Sequence, residues 1–106
     1  MKKAYFKRRV TKMFPNNVEL LPQEASTRST FIGQLVMTKG FIEKFSPNES
    51  HIAIEALVKI GQRVASEEGA DYFQTGLAHK IGGEESIKFW CIDDGDYVTF
   101  LLPEEY

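Results

Sequence analysis

Residues 71–102 read DYFQTGLAHKIGGEESIKFWCIDDGDYVTFLL, and they decide the fold that we predict for this chain of 106 residues. Three runs of β-branched and aromatic residues, at 72–81, 87–92 and 97–102, are typical of strands. Gly82-Gly83 separates the first two runs, and Asp94-Gly95 between the last two favours a two-residue type I′ turn. The stretch therefore predicts an antiparallel three-stranded meander.

Side chains along a strand alternate between the two faces of its sheet. In the first run Phe73, Leu77 and Ile81 share one face, which is more apolar than the face that carries Gln74 and Lys80. We expect the more apolar face to meet a helix. Both faces of the later two runs are substantially apolar, so a second face remains to be covered by the N-terminal segment or by a partner.

The best-marked helix starts at residues 46–49, SPNE. Ser46 and Glu49 match a capping box, and Pro47 suits the first helical position. We expect the helix to run to about Glu68, with Gly69 just beyond its end. The apolar stripe expected to pack on the sheet consists of Ile54, Leu57, Val58, Gly61, Val64 and Ala65, broadened by Ala53, Ala56 and Ile60. The residues expected to face solvent are Glu55, Lys59, Gln62 and Arg63.

Smaller elements complete the prediction. They are strands at 18–21 and 31–38, a helical turn at 41–45, and a short basic helix at 1–14. The last of these stays open, since Tyr5-Phe6 and Val10-Thr11 also suit a strand. The element order predicts one domain, residues 1–106, of the α+β class. In it, an antiparallel sheet with the C-terminal three-stranded meander packs on one long helix as a two-layer sandwich.

The net charge of −2 is distributed unevenly along the chain. The first twelve residues hold six basic residues, whereas the remaining 94 residues hold seven basic and fifteen acidic ones. The six basic residues are Lys2, Lys3, Lys7, Arg8, Arg9 and Lys12. A segment of this kind either binds phosphate or an acidic partner surface, or is a solvated end of the domain.

Neither a signal peptide nor a membrane span is predicted. Basic residues interrupt the first twelve positions, so the apolar core of a signal peptide is missing there. No run approaches the roughly 18 apolar residues of a spanning helix. The single cysteine excludes an intramolecular disulfide, which favours a reducing compartment. We therefore expect a cytoplasmic protein without a membrane partner.

Candidate catalytic and metal-binding groups are few. Cys91 with His51 or His79 has the ingredients of a thiol nucleophile. However, Cys91 lies in a strand between apolar neighbours, where a thiol is buried and inert. The three acids within residues 93–96 offer oxygen ligands for Ca²⁺ or Mg²⁺, but Asp-Gly turn chemistry accounts for them and the rest of a calcium loop is missing. We predict no catalytic residue, no metal and no cofactor.

Three motifs in the C-terminal part carry a family resemblance: VMTKG at 36–40, FWCID at 89–93 and TFLLPEEY at 99–106. With them the chain resembles a family of small uncharacterised plasmid- and phage-borne bacterial proteins, in which VMTxG is followed by a helix, FWKID and LLxxEY. The chain departs from this pattern at Cys91, where the family usually has lysine, and it lacks the family's acidic-aromatic insert. The family has no established activity, so no functional residue carries over. The resemblance implies an accessory protein of a mobile element. Proteins of this class are often inhibitors of host defence or small regulators.

Two functional hypotheses follow. The first is a non-enzymatic protein-binding factor, encoded by a mobile element, that sterically inhibits a host defence complex of the anti-CRISPR or anti-restriction type. Its aromatic anchors would be Tyr72, Trp90 and Tyr97, and its acidic contacts Asp93, Asp94, Asp96, Glu104 and Glu105. The second is a small nucleic-acid-binding regulator that uses the six basic residues above. A homodimer is an alternative use of the second apolar sheet face.

Overall fold

The computed structural model describes residues 17–79 and 85–106, and the structural statements below refer to those residues. The strands are β1 (Val18–Leu20), β2 (Gln34–Met37), β3 (Phe73–His79), β4 (Ser86–Asp93) and β5 (Tyr97–Leu101). The helices are α1 (Lys39–Phe45), α2 (Glu49–Val64) and a final 3₁₀ turn, Pro103–Glu105. The predicted α+β class is confirmed. The helix predicted at 1–14 and the turn at Gly82-Gly83 lie outside the described residues.

All five strands form one sheet, in the order β1-β3-β4-β5-β2. The predicted meander is its centre, because β3 pairs antiparallel with β4, and β4 with β5. The prediction of an antiparallel sheet is wrong, since β2 runs parallel to β5 and makes the sheet mixed. The apolar pattern of β2 indicates a strand but not its neighbour, which depends on the path of the chain through α1 and α2 before β3.

The face of β3 that meets the helices is the opposite of the one expected. Gln74, Gly76 and Ala78 are buried on the helix side, whereas Phe73 is only partly buried on the other face. Gly76 lies opposite Phe89, and a Cβ atom at Gly76 would be 2.3 Å from Cζ of that ring. The prediction from hydrophobicity alone is wrong because a close-packed core needs small residues on β3 beside Phe89.

Four phenylalanines form the centre of the core. α1 contributes Phe41 and Phe45, whose ring centroids are 4.8 Å apart, and the sheet contributes Phe89 and Phe100. Phe41 lies 5.8 Å from Phe89 and 5.5 Å from Phe100, in the edge-on and tilted arrangements that aromatic rings prefer. This contact places α1 on the same side of the sheet as α2. The residues that α2 buries in the same core are Ile52, Ala53, Ala56 and Ile60.

α2 begins and ends differently from the prediction. Its N-cap is Asn48, which makes no side-chain capping bond, so the predicted capping box is not formed. Ser46 instead follows α1 as its C-cap. α2 stops at Val64 rather than near Glu68. The hydroxyl of Ser66 donates to a carbonyl of the last turn at 2.6 Å, a local bond that competes with further helix.

The apolar stripe that α2 turns to the sheet is rotated from the predicted one. Ile54 and Val58 are 45% and 59% exposed, although both were expected in the core. Gly61 is also exposed, with no heavy atom near an added Cβ, so close packing on the sheet does not explain this glycine. The helix therefore presents a different face to the core, and the cause lies in its polar residues.

Three polar residues of α2, expected to face solvent, instead bind the backbone of β1 and of the residue that follows it. Glu55 accepts a hydrogen bond from the backbone N–H of Val18 at 2.8 Å, and Lys59 donates to the carbonyl of the same residue. Arg63 donates to the carbonyl of Leu21 at 2.8 Å. Because Glu55, Lys59 and Arg63 stand one turn apart along the helix, these bonds fix the rotation of α2.

Two glycine-to-alanine substitutions test this packing with opposite signs. Gly76→Ala places a methyl group against the ring of Phe89, and we expect it to lower the free energy of unfolding by about 1–3 kcal/mol. Gly61→Ala is the matched control, because nothing lies within 4 Å of its added Cβ. It removes the helix penalty of glycine, so it should raise the free energy of unfolding by about 0.5–1 kcal/mol. Urea denaturation measures both, and a shift of the same sign at the two sites would contradict the packing.

Candidate protein-binding surface

One face of the sheet lies away from both α-helices. It consists of the side chains that alternate with the core residues along the strands, and we call it the open face. Its members on β2 to β5 are chiefly Gln34, Val36, Phe73, Thr75, Leu77, His79, Lys88, Trp90, Ile92, Tyr97, Thr99 and Leu101. Apart from the imidazole of His79, seven of these twelve side chains are aliphatic or aromatic, and eight of the twelve are only partly buried. The open face is therefore an apolar surface without an α-helix of the described residues to cover it.

Four aromatic rings form a continuous series, of which Phe73 and Trp90 belong to the open face. The ring centroids of Tyr72 and Phe73 are 6.3 Å apart, and those of Phe73 and Trp90 are 4.9 Å apart. Trp90 in turn lies 5.5 Å from Tyr106, edge to face. We call these four residues the aromatic ladder. Rings in mutual contact lose little side-chain freedom on binding, which suits them to anchor a partner.

The predicted anchors are thus only partly brought together. Tyr72 and Trp90 belong to the aromatic ladder, and Phe73 joins them. Tyr97 is 46% exposed but stands apart from the ladder, at the start of β5 and opposite Gln34. Sequence reasoning missed Phe73 because the more apolar face of β3 was assigned to the helix. It missed Tyr106 because a terminal residue beyond the last strand gives no periodic signal.

Two of the five predicted acidic contacts already serve the turn between β4 and β5. Asp93 accepts hydrogen bonds from the backbone N–H of Phe31 at 3.0 Å and of Gly95 at 2.9 Å. Asp94 accepts from the backbone N–H of Tyr97 at 2.8 Å. These carboxylates hold the turn and attach the loop before β2 to it, which is the ordinary use of aspartate in turns.

The turn itself differs from the predicted type. Asp94 lies opposite Tyr97, because its N–H donates to the carbonyl of Tyr97 at 3.1 Å. The two central residues are therefore Gly95 and Asp96, not Asp94 and Gly95. Of these two residues only Gly95 has a positive φ, +98°, which excludes the predicted type I′ turn because that type needs a positive φ at both central residues.

Glu105 links the C-terminal turn to the start of α1. Its carboxylate accepts hydrogen bonds from the hydroxyl of Thr38 at 2.6 Å, from Leu102 N at 2.8 Å and from Gly40 N at 3.0 Å. The bonds from Thr38 and Leu102 are the main causes that lower the pKa of Glu105. The predicted contact of Glu105 with a partner stays a prediction, but this carboxylate already has three donors within the chain.

Asp96 and Glu104 are the predicted acids whose carboxylates make no hydrogen bond among the described residues. Both side chains are exposed. Asp96 stands next to Tyr97, and Glu104 stands two residues before Tyr106 of the aromatic ladder. Of the five acids proposed from the sequence, these two are the ones available to a basic partner group.

Cys91 lies in the core rather than in a site. It is fully buried, and burial, with a smaller effect of the charge on Asp93, raises the pKa of its thiol. His79 is on the opposite face of the sheet, where Nδ1 is 3.0 Å from the hydroxyl of Ser86. His51 is exposed on α2, whereas Cys91 is fully buried, so neither histidine of the predicted pair stands with the Cys91 thiol in an open site. Across 17–79 and 85–106 no group of three or more His, Cys, Asp or Glu residues is arranged to hold a metal ion.

No family model, curated protein or solved structure matches the chain. The resemblance to mobile-element proteins at 36–40, 89–93 and 99–106 thus remains a prediction from these motifs. The basic residues proposed for nucleic acid, Lys2, Lys3, Lys7, Arg8, Arg9 and Lys12, lie outside the described residues. Within the described part of the chain, no helix has the length and apolarity needed to cross a membrane.

Neutralising Glu105 tests its role in joining the C-terminus to α1. A lowered pKa means that the charged form stabilises the fold above the ordinary glutamate pKa of about 4.3, and that this stability is lost as the pH falls through the lower pKa of the folded chain. Glu105→Gln should therefore be less stable than the unmodified chain at pH 7, and the difference should disappear in acid. Thermal unfolding from pH 7 to pH 2 measures it.

Glu104→Gln is the matched control, because its carboxylate has no hydrogen bond within the described residues. It removes the same charge one position away, and we expect little change in the stability of the fold at any pH. A pH profile of Glu105→Gln that runs parallel to that of the unmodified chain would contradict the role assigned to Glu105.

Proposed function

We propose that this chain is a non-enzymatic protein-binding factor that docks a partner on the aromatic ladder of its open face. The observation that supports the proposal is the run of ring contacts from Tyr72 through Phe73 and Trp90 to Tyr106. Phe73 and Trp90 lie on a sheet face that no α-helix of residues 17–79 and 85–106 covers. Large, partly exposed aromatic side chains dominate the binding energy of protein interfaces. The burial of Cys91 supports the non-enzymatic part of the proposal.

The proposed partner surface is basic as well as apolar. Outside the first twelve residues the chain holds seven basic and fifteen acidic residues. Asp96 and Glu104 are exposed and can meet Lys or Arg of a partner, although Glu104 lies beside Gly40 and Lys44 of α1 rather than on the open face itself. Complementary charge at the rim speeds association and selects the partner more than it adds affinity.

The proposed partner is a host defence complex, of the CRISPR or restriction type, in the bacterial cytoplasm. Such complexes hold nucleic acid through Lys and Arg. An acidic chain with an apolar anchor can occupy that surface and block it sterically. This part of the proposal rests on the resemblance to plasmid- and phage-borne proteins together with the charge of the chain.

Direct binding of nucleic acid is the second candidate, supported by the six basic residues among the first twelve. Its signature differs from that of the first proposal, because phosphate contacts make affinity fall steeply with salt. Binding through the aromatic ladder depends far less on salt, since it rests on apolar burial. A salt titration of any complex that the chain forms therefore distinguishes the two.

Loss of the Trp90 ring should abolish the proposed activity. In bacteria that carry a CRISPR or restriction system, expression of the chain should raise the plating efficiency of a targeted phage. Trp90→Ala should remove this protection, because truncating a central aromatic anchor costs about 2 kcal/mol or more. With the purified complex this is a loss of affinity of about 30-fold.

Val58→Ala is the matched control, because Val58 is an exposed apolar residue of α2 on the other side of the molecule. It should protect the phage as well as the unmodified chain does. If Trp90→Ala and Val58→Ala protect the phage equally, the assignment of the binding site to the aromatic ladder is contradicted. If the chain is well expressed but protects phage against none of these defence systems, the proposal of a defence inhibitor is contradicted.

A further inference from the structure

The geometry of β2 points to a second interaction surface, distinct from the open face. We propose that two copies of this chain pair their β2 strands antiparallel, across a twofold axis at Val36. Among the described residues β2 is an edge strand of a five-stranded sheet, so this pairing joins the two sheets into one of ten described strands. The partner is thus a second copy of the chain.

The direction of the backbone N–H and C=O groups of β2 is the first observation that supports this pairing. The backbone N–H groups of Gln34 and Thr38 donate to β5 at 2.9 and 3.0 Å. In a parallel ladder the residues bonded to one neighbour alternate with those that face away from it. Gln34, Val36 and Thr38 therefore bond to β5, whereas Leu35 and Met37 direct their N–H and C=O groups to the free edge.

The free edge of β2 is complementary to itself. In a pairing centred on Val36, Leu35 of one copy lies opposite Met37 of the other. Both residues present outward N–H and C=O groups, so each such pair exchanges two hydrogen bonds, and the twofold axis makes a second pair. Val36 meets its own counterpart at the axis. The facing side chains are all apolar, which suits cross-strand pairs.

Charge does not oppose this pairing. Between Arg28 and Lys39 the sequence contains neither a charged residue nor a proline. Natural sheets usually protect an exposed edge with such residues to prevent pairing. Leu35 at this edge is 40% exposed, and Ile32 just before β2 is 84% exposed. An unprotected apolar edge is what a self-associating sheet requires.

The opposite edge of the sheet is closed in the way that β2 is not. On β1 the outward N–H and C=O groups of Val18 bond to Glu55 and Lys59 of α2, and Arg63 binds the carbonyl of Leu21. A second strand cannot reach the outward groups of Val18, which α2 already occupies. Sheet extension is therefore directed to β2, which gives a closed pair of chains rather than an open fibre.

The proposed dimer also places the two open faces together. The twofold axis of an antiparallel strand pair is perpendicular to the sheet, so both copies present their aromatic ladders on the same side. A partner with two matching sites would then be held at both, with a gain in avidity.

A cysteine at the proposed axis tests the pairing and its register. At a non-hydrogen-bonded antiparallel pair the Cα atoms are about 4.5 Å apart, which is within the range of about 4.4–6.8 Å that a disulfide spans. Val36→Cys, oxidised with diamide, should form a covalent dimer of twice the 12.1 kDa chain on a non-reducing gel. Thr99→Cys is the matched control, because Thr99 is the neighbour of Val36 on β5 and lies away from the edge. Thr99→Cys should not cross-link, and it should run at the mass of a single chain on the same gel.

A charge at the edge supplies the second test. By light scattering the unmodified chain should have the mass of a dimer, and the Leu35→Lys variant should have the mass of a monomer. Val58→Lys, which adds the same charge on the exposed face of α2, should leave the dimer intact. An unmodified chain that is monomeric overturns the proposal. This holds also if such a monomer binds an extended peptide of another protein at β2. A dimer that survives Leu35→Lys, or Val36→Cys that fails to cross-link, overturns it as well.

Discussion

The contact between Gly76 and Phe89 determines which side of the sheet carries the helices. Phe89 projects from β4 over a position on β3 where even one methyl group would collide with its ring. The ring then lies among Phe41, Phe45 and Phe100, so α1 can pack only on that side. With both helices on one side, the larger side chains of β3 are left on the other.

The two edges of the sheet are set by a different kind of interaction. The polar residues of α2 form hydrogen bonds with the backbone of β1, which closes that edge and rotates the helix so that Ile54 and Val58 face outward. Within residues 17–79 and 85–106 no equivalent stripe of polar side chains bonds to the outer edge of β2. Apolar packing thus decides the faces of the sheet and backbone hydrogen bonding decides its edges, and together they account for the two surfaces that we assign to partners.

Local sequence patterns were sufficient to predict the class of the fold, the three-stranded meander and the approximate positions of the helices and strands. They failed where residues distant in sequence decide the outcome. The face of β3 depends on a side chain of β4, and the rotation of α2 depends on the edge strand β1, 37 residues before Glu55. Trp90 was predicted at the candidate surface. Phe73 and Tyr106 were not, because tertiary packing places them there.

The fluorescence of Trp90 tests the central claim, that this face of the sheet is accessible. Trp90 is the single tryptophan of the chain, so its signal has no other source. We predict that acrylamide quenches the folded chain, and that Tyr106→Ala increases the quenching, because the Tyr106 ring lies 5.5 Å from Trp90. Emission from a fully buried indole that acrylamide does not quench, with or without Tyr106, would contradict the account.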